Sequence, residues 1–538
     1  MIRSKIINPI SLRLFNVLVS LFIVVFFNIP LWTFLYQLKT IHNLLPFSFL
    51  LAFFIILSYF FYFIISLFSL PYIHKLILSI ILISGSLAQY FMLKYGILID
   101  SAMISNVLET NFYELSELFT FNMIITIIFL GVIPSLVIYK CNVQYPNNIR
   151  NYLKFFIFNF LVLIIVIILI LFQYKTFASV FRNHKDIILR IIPNNYFYGI
   201  YQNMILIIPP KTPQLNLNNA TKDIDWSKHQ RNTVFILIIG EAARASNFSL
   251  NGYNKETNPH LKHHNVFSFN NFYSCGTNTS TSVPCIFSSL TRSTFNKKNF
   301  QYNDNLLHLI KKSGFYILWI DNNSGCKSVC DPLQTIKMQD YLSSNCNQEI
   351  YDEAMLPILK NFINSNNDKD LFIVLHQKGS HGPAYYKRVP DKFHVFIPIC
   401  DSVELQKCST KNILNSYDNT ILYTDYFLSE IIKILKKVSY RNTGMIYVSD
   451  HGQSLGENGI YLHGMPYLLA PNNQKHIPMI MWLSSNFMQE FYIDQLCINQ
   501  LLNNQFSHDN IFHTVLSLLK INTKNKNHSL NLLKGCVH

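Results

Sequence analysis

Glu241, Asp450 and His451 supply two carboxylates and one imidazole, a ligand set that suits zinc with one position left for a reacting group. Thr279 is the candidate for that position. It lies in Ser274-Cys-Gly-Thr-Asn-Thr-Ser-Thr-Ser-Val-Pro-Cys285, a polar loop whose ends a Cys275–Cys285 disulfide would tie. A hydroxyl is a poor nucleophile at neutral pH, but a divalent metal favours its alkoxide and also neutralises charge on an attacked phosphorus. By residue type alone, the neighbouring Thr277 and Thr281 are equally able to serve as the nucleophile.

Residues so far apart need a scaffold that gathers them. From residue 233 onward, short runs rich in Ile, Val and Phe alternate with longer polar or helical stretches, the pattern of an α/β domain. Four runs, Thr233–Gly240, Phe315–Ile320, Leu371–Leu375 and Gly444–Ser449, lead directly into Glu241, Asp321 to Lys327, His376 to His381, and Asp450-His451. Ligands of parallel sheets bind beyond the carboxyl ends of the strands, so these groups are expected to meet at one sheet edge. His376, at a strand end, reads equally well as a core hydrogen-bonding residue.

The other half of the chain is apolar. With 50% hydrophobic and 14% charged residues over 538 positions, the composition calls for a membrane part. Bilayer-length runs occur near 14–37, 48–70, 76–93, 121–139 and 154–173, giving five expected transmembrane helices. Arg3, Lys5, Arg13, Lys75, Lys140, Arg150 and Lys154 fall on one side of these spans, whereas loop 97–120 has no Lys or Arg. The positive-inside rule therefore places the C-terminal half outside the cytoplasm. The formal charge of +15 suits anionic lipid. Without a finger spacing, a helix-turn-helix signature or a phosphate loop, nucleic acid is not an expected partner.

Loop 97–120 has apolar residues near helical spacing and reads as an interfacial helix, with Asn106, Thr110 and Glu114 on one i+4 stripe. A second interfacial stretch, roughly 178–208, carries Arg182, Lys185 and Arg190 and ends at Pro209-Pro210. The expected domains are thus 1–175 in the membrane, 176–232 as interfacial helix and linker, and 233–538 as catalytic domain. Of 10 cysteines, nine lie in the half expected outside, which suits an oxidising compartment. Cys275/Cys285, Cys326/Cys330 and Cys400/Cys408 read as local disulfides. Among Cys346, Cys497 and Cys536, a Cys497–Cys536 bond with Cys346 free is one arrangement left open.

Taken together, Gly240-Glu-Ala-Ala-Arg244, Ser274 to Cys285, Asp321-Asn-Asn-Ser-Gly-Cys-Lys327, His376-Gln-Lys-Gly-Ser-His-Gly-Pro383, Ser449-Asp-His-Gly452 and Tyr461-Leu-His-Gly464 resemble the phosphoethanolamine transferases that modify lipid A, including the mobile colistin-resistance enzymes. The resemblance covers nearly the whole chain. It implies a five-helix membrane domain in the bacterial inner membrane, followed by a periplasmic sulfatase-like α/β domain with a mainly parallel sheet. It implies Thr279 as the residue that carries phosphoethanolamine, bound with Glu241, Asp450 and His451 to one tight zinc. His381 and His463 would assist, directly or through a second zinc. Asn323, Ser324 and Lys327, with Asn106, Thr110 and Glu114, would meet the donor head group or its phosphate. Phosphatidylethanolamine is the implied donor, lipid A the implied acceptor, polymyxin resistance the implied phenotype, and a monomer the expected state. Transfer to a core sugar or periplasmic glucan, and hydrolysis of the sulfatase or phosphatase kind, are the competing outcomes of the same chemistry. A membrane sensor or transporter carrying a binding domain is the non-enzymatic one.

Overall fold

The structure is a computed structural model and describes residues 9–40, 46–110, 112–184, 186–207, 220–222, 231–330, 333–341 and 349–537. Lys185, Pro209-Pro210, Cys346, most of the expected linker and the side chain of Glu114 lie outside the described residues. The chain divides into two compact units, 1–101 with 119–201, and 102–118 with 202–538.

The first unit is helical. Phe47–Leu67, His74–Tyr95, Phe121–Lys140 and Ile149–Phe172 are each long and apolar enough to cross a membrane. The first expected span is made of two helical pieces, Leu12–Phe27 and Ile29–Leu38, bent by 60°, which as one broken span brings the number to five among the described residues. The cause of the bend is local. Pro30 cannot donate to the helix ladder, and the Asn28 side chain turns back to bond the Ile23 carbonyl at 3.0 Å and the Ile192 carbonyl at 2.9 Å. The stretch expected to be interfacial near 178–208 is broken into helices Tyr174–Asn183, Ile187–Arg190 and Asn194–Ile207.

The second unit is built on an eight-stranded sheet. Its strands are β1 (Thr233–Gly240), β2 (Phe267–Tyr273), β3 (Tyr316–Asp321), β4 (Thr335–Lys337), β5 (Leu371–His376), β6 (Asn442–Ser449), β7 (His476–Leu483) and β8 (Phe506–Ser507). The order is β8-β2-β7-β6-β1-β5-β3-β4, with β6, β1, β5, β3 and β4 parallel and β7 antiparallel to both of its neighbours. β1 is buried at every residue because both faces are covered. Phe235, Leu237 and Ile239 pack with Val283, Ile310 and Phe512 on one face. Val234, Ile236 and Ile238 pack with Leu359, Tyr417 and Ile431 on the other. A central parallel strand therefore reads as an unbroken apolar run. Within the expected linker, Ala220–Lys222 forms a short strand antiparallel to Ile521–Thr523, tying that segment to the C-terminal region.

The single helix expected over 97–120 is also divided, into Ser101–Glu109 and Phe112–Leu118. The Thr110 hydroxyl donates back to the Asn106 carbonyl at 2.7 Å, the kind of side-chain competition that weakens a helix at its end. Asn106 lies in the first of these helices and Thr110 just after it, and residues 102–118 group with the α/β unit rather than with the membrane helices. All four disulfides among the described residues are local to the α/β unit: Cys275–Cys285, Cys326–Cys330, Cys400–Cys408 and Cys497–Cys536. Cys141 is a free, half-buried thiol.

Candidate active site

The carboxyl ends of β1, β5 and β6 are stitched together by backbone bonds that continue past the strands. Asp450 N–H donates to the Gly240 carbonyl at 2.9 Å, Gln377 N–H to Ile239 at 3.0 Å, and Ser380 N–H to Glu241 at 3.0 Å. Gly379 makes the last contact possible. Its φ is +49°, and a Cβ there would stand 3.0 Å from both the Glu241 nitrogen and oxygen, a position that only glycine fills without strain.

Thr279 opens the helix Thr279–Ile286, capped by the Asn278 side chain, which accepts from Thr281 N–H at 2.9 Å. The Cys275–Cys285 bond closes the loop around it. Its hydroxyl donates to Glu241 Oε2 at 3.1 Å and lies 3.4 Å from His451 Nε2. Thr277 is turned away, with its hydroxyl bonded to the Met465 carbonyl at 2.5 Å. Of these two threonines, Thr279 is the one whose hydroxyl meets the acidic cluster. A helix N-terminus adds positive electrostatic potential at the same point, which favours an alkoxide or a phosphoryl group there.

His451 Nδ1 lies 2.8 Å from the Gly452 carbonyl. A carbonyl can only accept, so Nδ1 carries the proton and Nε2 presents a lone pair. That lone pair faces Glu241 Oε1 at 3.4 Å and Asp450 Oδ2 at 3.2 Å, both buried oxygens without a hydrogen-bond donor. Burial, and then the charge of Asp450, pushes Glu241 up to about 7. Burial pushes Asp450 up to about 6, and it lowers His451. Two desolvated carboxylates around a bare imidazole nitrogen are in electrostatic want of a cation, and the donor set fits zinc. Ligand atoms of Glu241, His451 and His463 also lie within 4.8 Å of one another. His463 thus stands closer to the cluster than its assisting role in the sequence reading required.

His463 Nδ1 is 2.8 Å from Gln453 Oε1, which assigns the proton to Nδ1 and leaves Nε2 basic. Its ring centroid lies 4.2 Å from that of His451 and 6.0 Å from that of His381. Burial holds both His381 and His463 well below the ordinary histidine range, with the charges of Arg388 and Lys378 adding to it at His381, so both are neutral acceptors at pH 7. Asn323 donates to Glu241 Oε2 at 2.8 Å and to the Gln377 carbonyl at 2.9 Å, fixing the carboxylate from the β3 side. Ser324 follows it, half-buried, and Lys327 pairs with Glu109 at 3.3 Å. His376 is a core residue: it is fully buried, with Nδ1 2.9 Å from Asp321 Oδ2.

From residues 102–118, Met103 and Asn106 reach the loop that carries His463. A Cβ on Gly464 would meet Met103 Cε at 2.9 Å and Asn106 Nδ2 at 3.8 Å. Further on, Glu117 pairs with Arg388, whose Nε–H bonds the His381 carbonyl at 2.8 Å. Three supporting residues escaped the sequence reading: Gln453, Arg388 and Asp352. Asp352 is buried and accepts from Asn322 Nδ2 at 2.8 Å, Lys378 N–H at 2.9 Å and Gly379 N–H at 3.1 Å, which holds the approach to His381. Gln453 alone had a signal, its place two residues after His451.

Residues 233–521 match the sulfatase family, and residues 56–205 match the family described as phosphoethanolamine transferase EptA/EptB. The phosphoethanolamine transferase EptA of Escherichia coli K12 is 38% identical over 483 residues, covering 88% of this chain and 87% of the relative. The chain belongs to the phosphoethanolamine transferase family. The phosphatidylethanolamine transferase Mcr-1 of Escherichia coli is 35% identical, covering 84% of this chain and 85% of the relative. The solved integral membrane EptA of Neisseria meningitidis matches this transferase with a TM-score of 0.90 at 31% identity, over 97% of this chain and 98% of that one. Fold class and chemistry of the group transferred are therefore those of an EptA/Mcr-type phosphoethanolamine transferase, on a sulfatase-like α/β scaffold.

Proposed function

We propose that this transferase moves phosphoethanolamine from phosphatidylethanolamine to a phosphate of lipid A through a covalent Thr279 intermediate, with the α/β unit in the periplasm. The observation that carries the reading is the Thr279 hydroxyl, at a helix N-terminus, donating to Glu241 and flanked by His451. The Neisseria relative is a lipooligosaccharide phosphoethanolamine transferase, which supports the acceptor class.

Glu241, Asp450 and His451 would hold a zinc ion beside Thr279, and zinc bound there would favour the threonine alkoxide and offset charge on the phosphorus. In the first step Thr279 Oγ1 forms a bond to phosphorus and the bond to the glycerol oxygen breaks. Diacylglycerol leaves with a proton. In the second step an oxygen of a lipid A phosphate attacks the same phosphorus and Thr279 is released. His381 and His463, both neutral and half-buried, are placed to carry the protons of leaving group and acceptor. Asn323 keeps the Glu241 carboxylate in the orientation that receives the threonine proton.

The product gains an amine, which lowers the net negative charge of lipid A and weakens binding of cationic peptides. The test is mass spectrometry of lipid A from a Gram-negative host expressing the chain, beside Thr279→Ala at matched protein level. A phosphoethanolamine adduct and raised polymyxin tolerance with intact Thr279 only are the expected results. Adducts on core sugar or glucan instead would move the acceptor. Free phosphoethanolamine released without an acceptor would indicate a hydrolase.

A further inference from the structure

His508 is fully buried, and the reaction described above makes no use of it. It directly follows β8, which runs parallel to β2 with Phe506 beside Phe272 and Ser507 beside Tyr273. β2 and β6 both lie antiparallel to β7, so they run in one direction and their carboxyl ends share an edge of the sheet. The loop that carries Thr279 leaves β2 at this edge, Asp450 and His451 leave β6 there, and His508 leaves β8. Its imidazole joins the other two. The Cys275 N–H donates to Nδ1 at 3.0 Å, and Nε2 lies 2.9 Å from the Ser449 carbonyl. A backbone N–H can only donate and a carbonyl can only accept, so the ring is the neutral tautomer with its proton on Nε2 and both nitrogens engaged. We propose that His508 is a positioning residue, a strut that sets the separation between the Thr279 hydroxyl and the groups at the end of β6.

Each end of the strut grips a point close to the chemistry. Cys275 is bonded to Cys285, inside the helix Thr279–Ile286, so holding the Cys275 amide restrains both the approach to Thr279 and the helix that Thr279 opens. Ser449 directly precedes Asp450, and its hydroxyl donates to the His451 carbonyl at 2.9 Å while accepting from Ala243 N–H at 2.9 Å. The Ser449 carbonyl is thereby tied to the segment that bears Asp450 and His451. The turn that carries the ring is itself locked. Ser507 N–H donates to Asn510 Oδ1 at 2.8 Å, Asp509 N–H donates to Ser507 Oγ at 3.2 Å, and Asp509 Oδ1 accepts from Arg292 N–H at 2.8 Å. Because an imidazole is rigid, the two contacts it bridges cannot drift independently. The bond from Thr279 to Glu241, at 3.1 Å, is lost once the hydroxyl gives up its proton, and from then on the framework must hold the oxygen in place. A misplacement of about 1 Å can cost on the order of 100-fold in rate. The inference rests on Thr279 as the nucleophile.

The test uses the full-length enzyme in detergent micelles and compares His508→Asn with His508→Gln. The asparagine oxygen stands near the place of Nδ1 and keeps the Cys275 contact, whereas the glutamine nitrogen reaches the place of Nε2 and keeps the Ser449 contact. Each variant cuts the strut at the opposite end. Adduct formation on Thr279 from phosphatidylethanolamine is followed by intact-protein mass spectrometry in single turnovers and expressed per zinc-bound enzyme. The rate should fall by about 10–100-fold in both variants, with the half-saturating phosphatidylethanolamine concentration unchanged. Hydrogen exchange of the metal-free protein gives a readout independent of activity: exchange in residues 274–278 should quicken in His508→Gln and stay near native in His508→Asn. A rate within about threefold of native in either variant, a fall matched by a rise in the half-saturating concentration, or equal exchange in the two variants overturns the proposal. If neither variant folds, exchange in the native enzyme decides: a Cys275 amide as protected as those of β6 upholds the strut, and a freely exchanging one overturns it. Absence of an adduct in the native enzyme refutes the Thr279 reading instead, and the exchange results then judge the strut alone.

Discussion

Replacing Arg388 by Met tests whether the contact between helix Phe112–Leu118 and the His381 loop holds the site together. The guanidinium is 1% exposed and pairs with Glu117 and Glu349, whose side chains are 5% and 8% exposed. Methionine preserves much of the volume, so the perturbation is loss of charge. Glu349 retains Lys378 at 2.8 Å, whereas Glu117 is left without its cation. Removing one partner of a buried pair costs roughly 3–5 kcal/mol, and the surviving Lys378 contact places the expected cost at about 3 kcal/mol. At roughly 2–4 °C per kcal/mol for a domain of this size, Tm should fall by about 6–12 °C. The assay is thermal unfolding followed by tryptophan fluorescence in detergent at one scan rate. Adding Glu117→Gln to Arg388→Met removes the orphaned charge and should recover at least half of the loss. A fall under about 3 °C, or a double variant less stable than Arg388→Met, would refute the reasoning.

Chelation should abolish transfer, with activity restored by zinc. In the metal-free protein Glu241 and Asp450 titrate near 7 and 6, above their unfolded values. At these two carboxylates the folded state binds more protons than the unfolded one, so their contribution to stability falls as pH rises from about 4 to 7, opposite in sign to that of the depressed His381, His451 and His463. Zinc should remove the carboxylate contribution, read as the pH dependence of the difference between zinc-loaded and metal-free melts. Gln453→Leu removes the acceptor that orients His463, and initial rates should drop by about 10–100-fold. Breaking Cys497–Cys536, which spans 39 residues, should cost roughly 4 kcal/mol in denaturant unfolding, against roughly 3 kcal/mol for Cys275–Cys285, which spans 10. Equal losses would count against a loop-entropy origin.

Much of this molecule was written along the chain. Period and apolarity located β1, β3, β5 and β6 to within two residues, because strands buried on both faces must be continuously apolar and the groups after them must lie at one edge. The bilayer-length runs followed from hydropathy for the same reason, since lipid tolerates no polar stretch of that length. Three disulfides were legible because their partners are ten residues apart or fewer. What sequence left open is long-range and directional. Only tertiary packing turned Thr277 onto the Met465 carbonyl and Thr279 onto Glu241, for the two side chains are chemically identical. Only the fold brought Cys497 to Cys536. A charged residue such as Arg388 or Glu109 reads along the chain as a solvated surface group. Its partners at Glu117, or at Lys297 and Lys327, are chosen by where the backbone brings them, because electrostatic pairing depends on distance in space and not on separation in sequence.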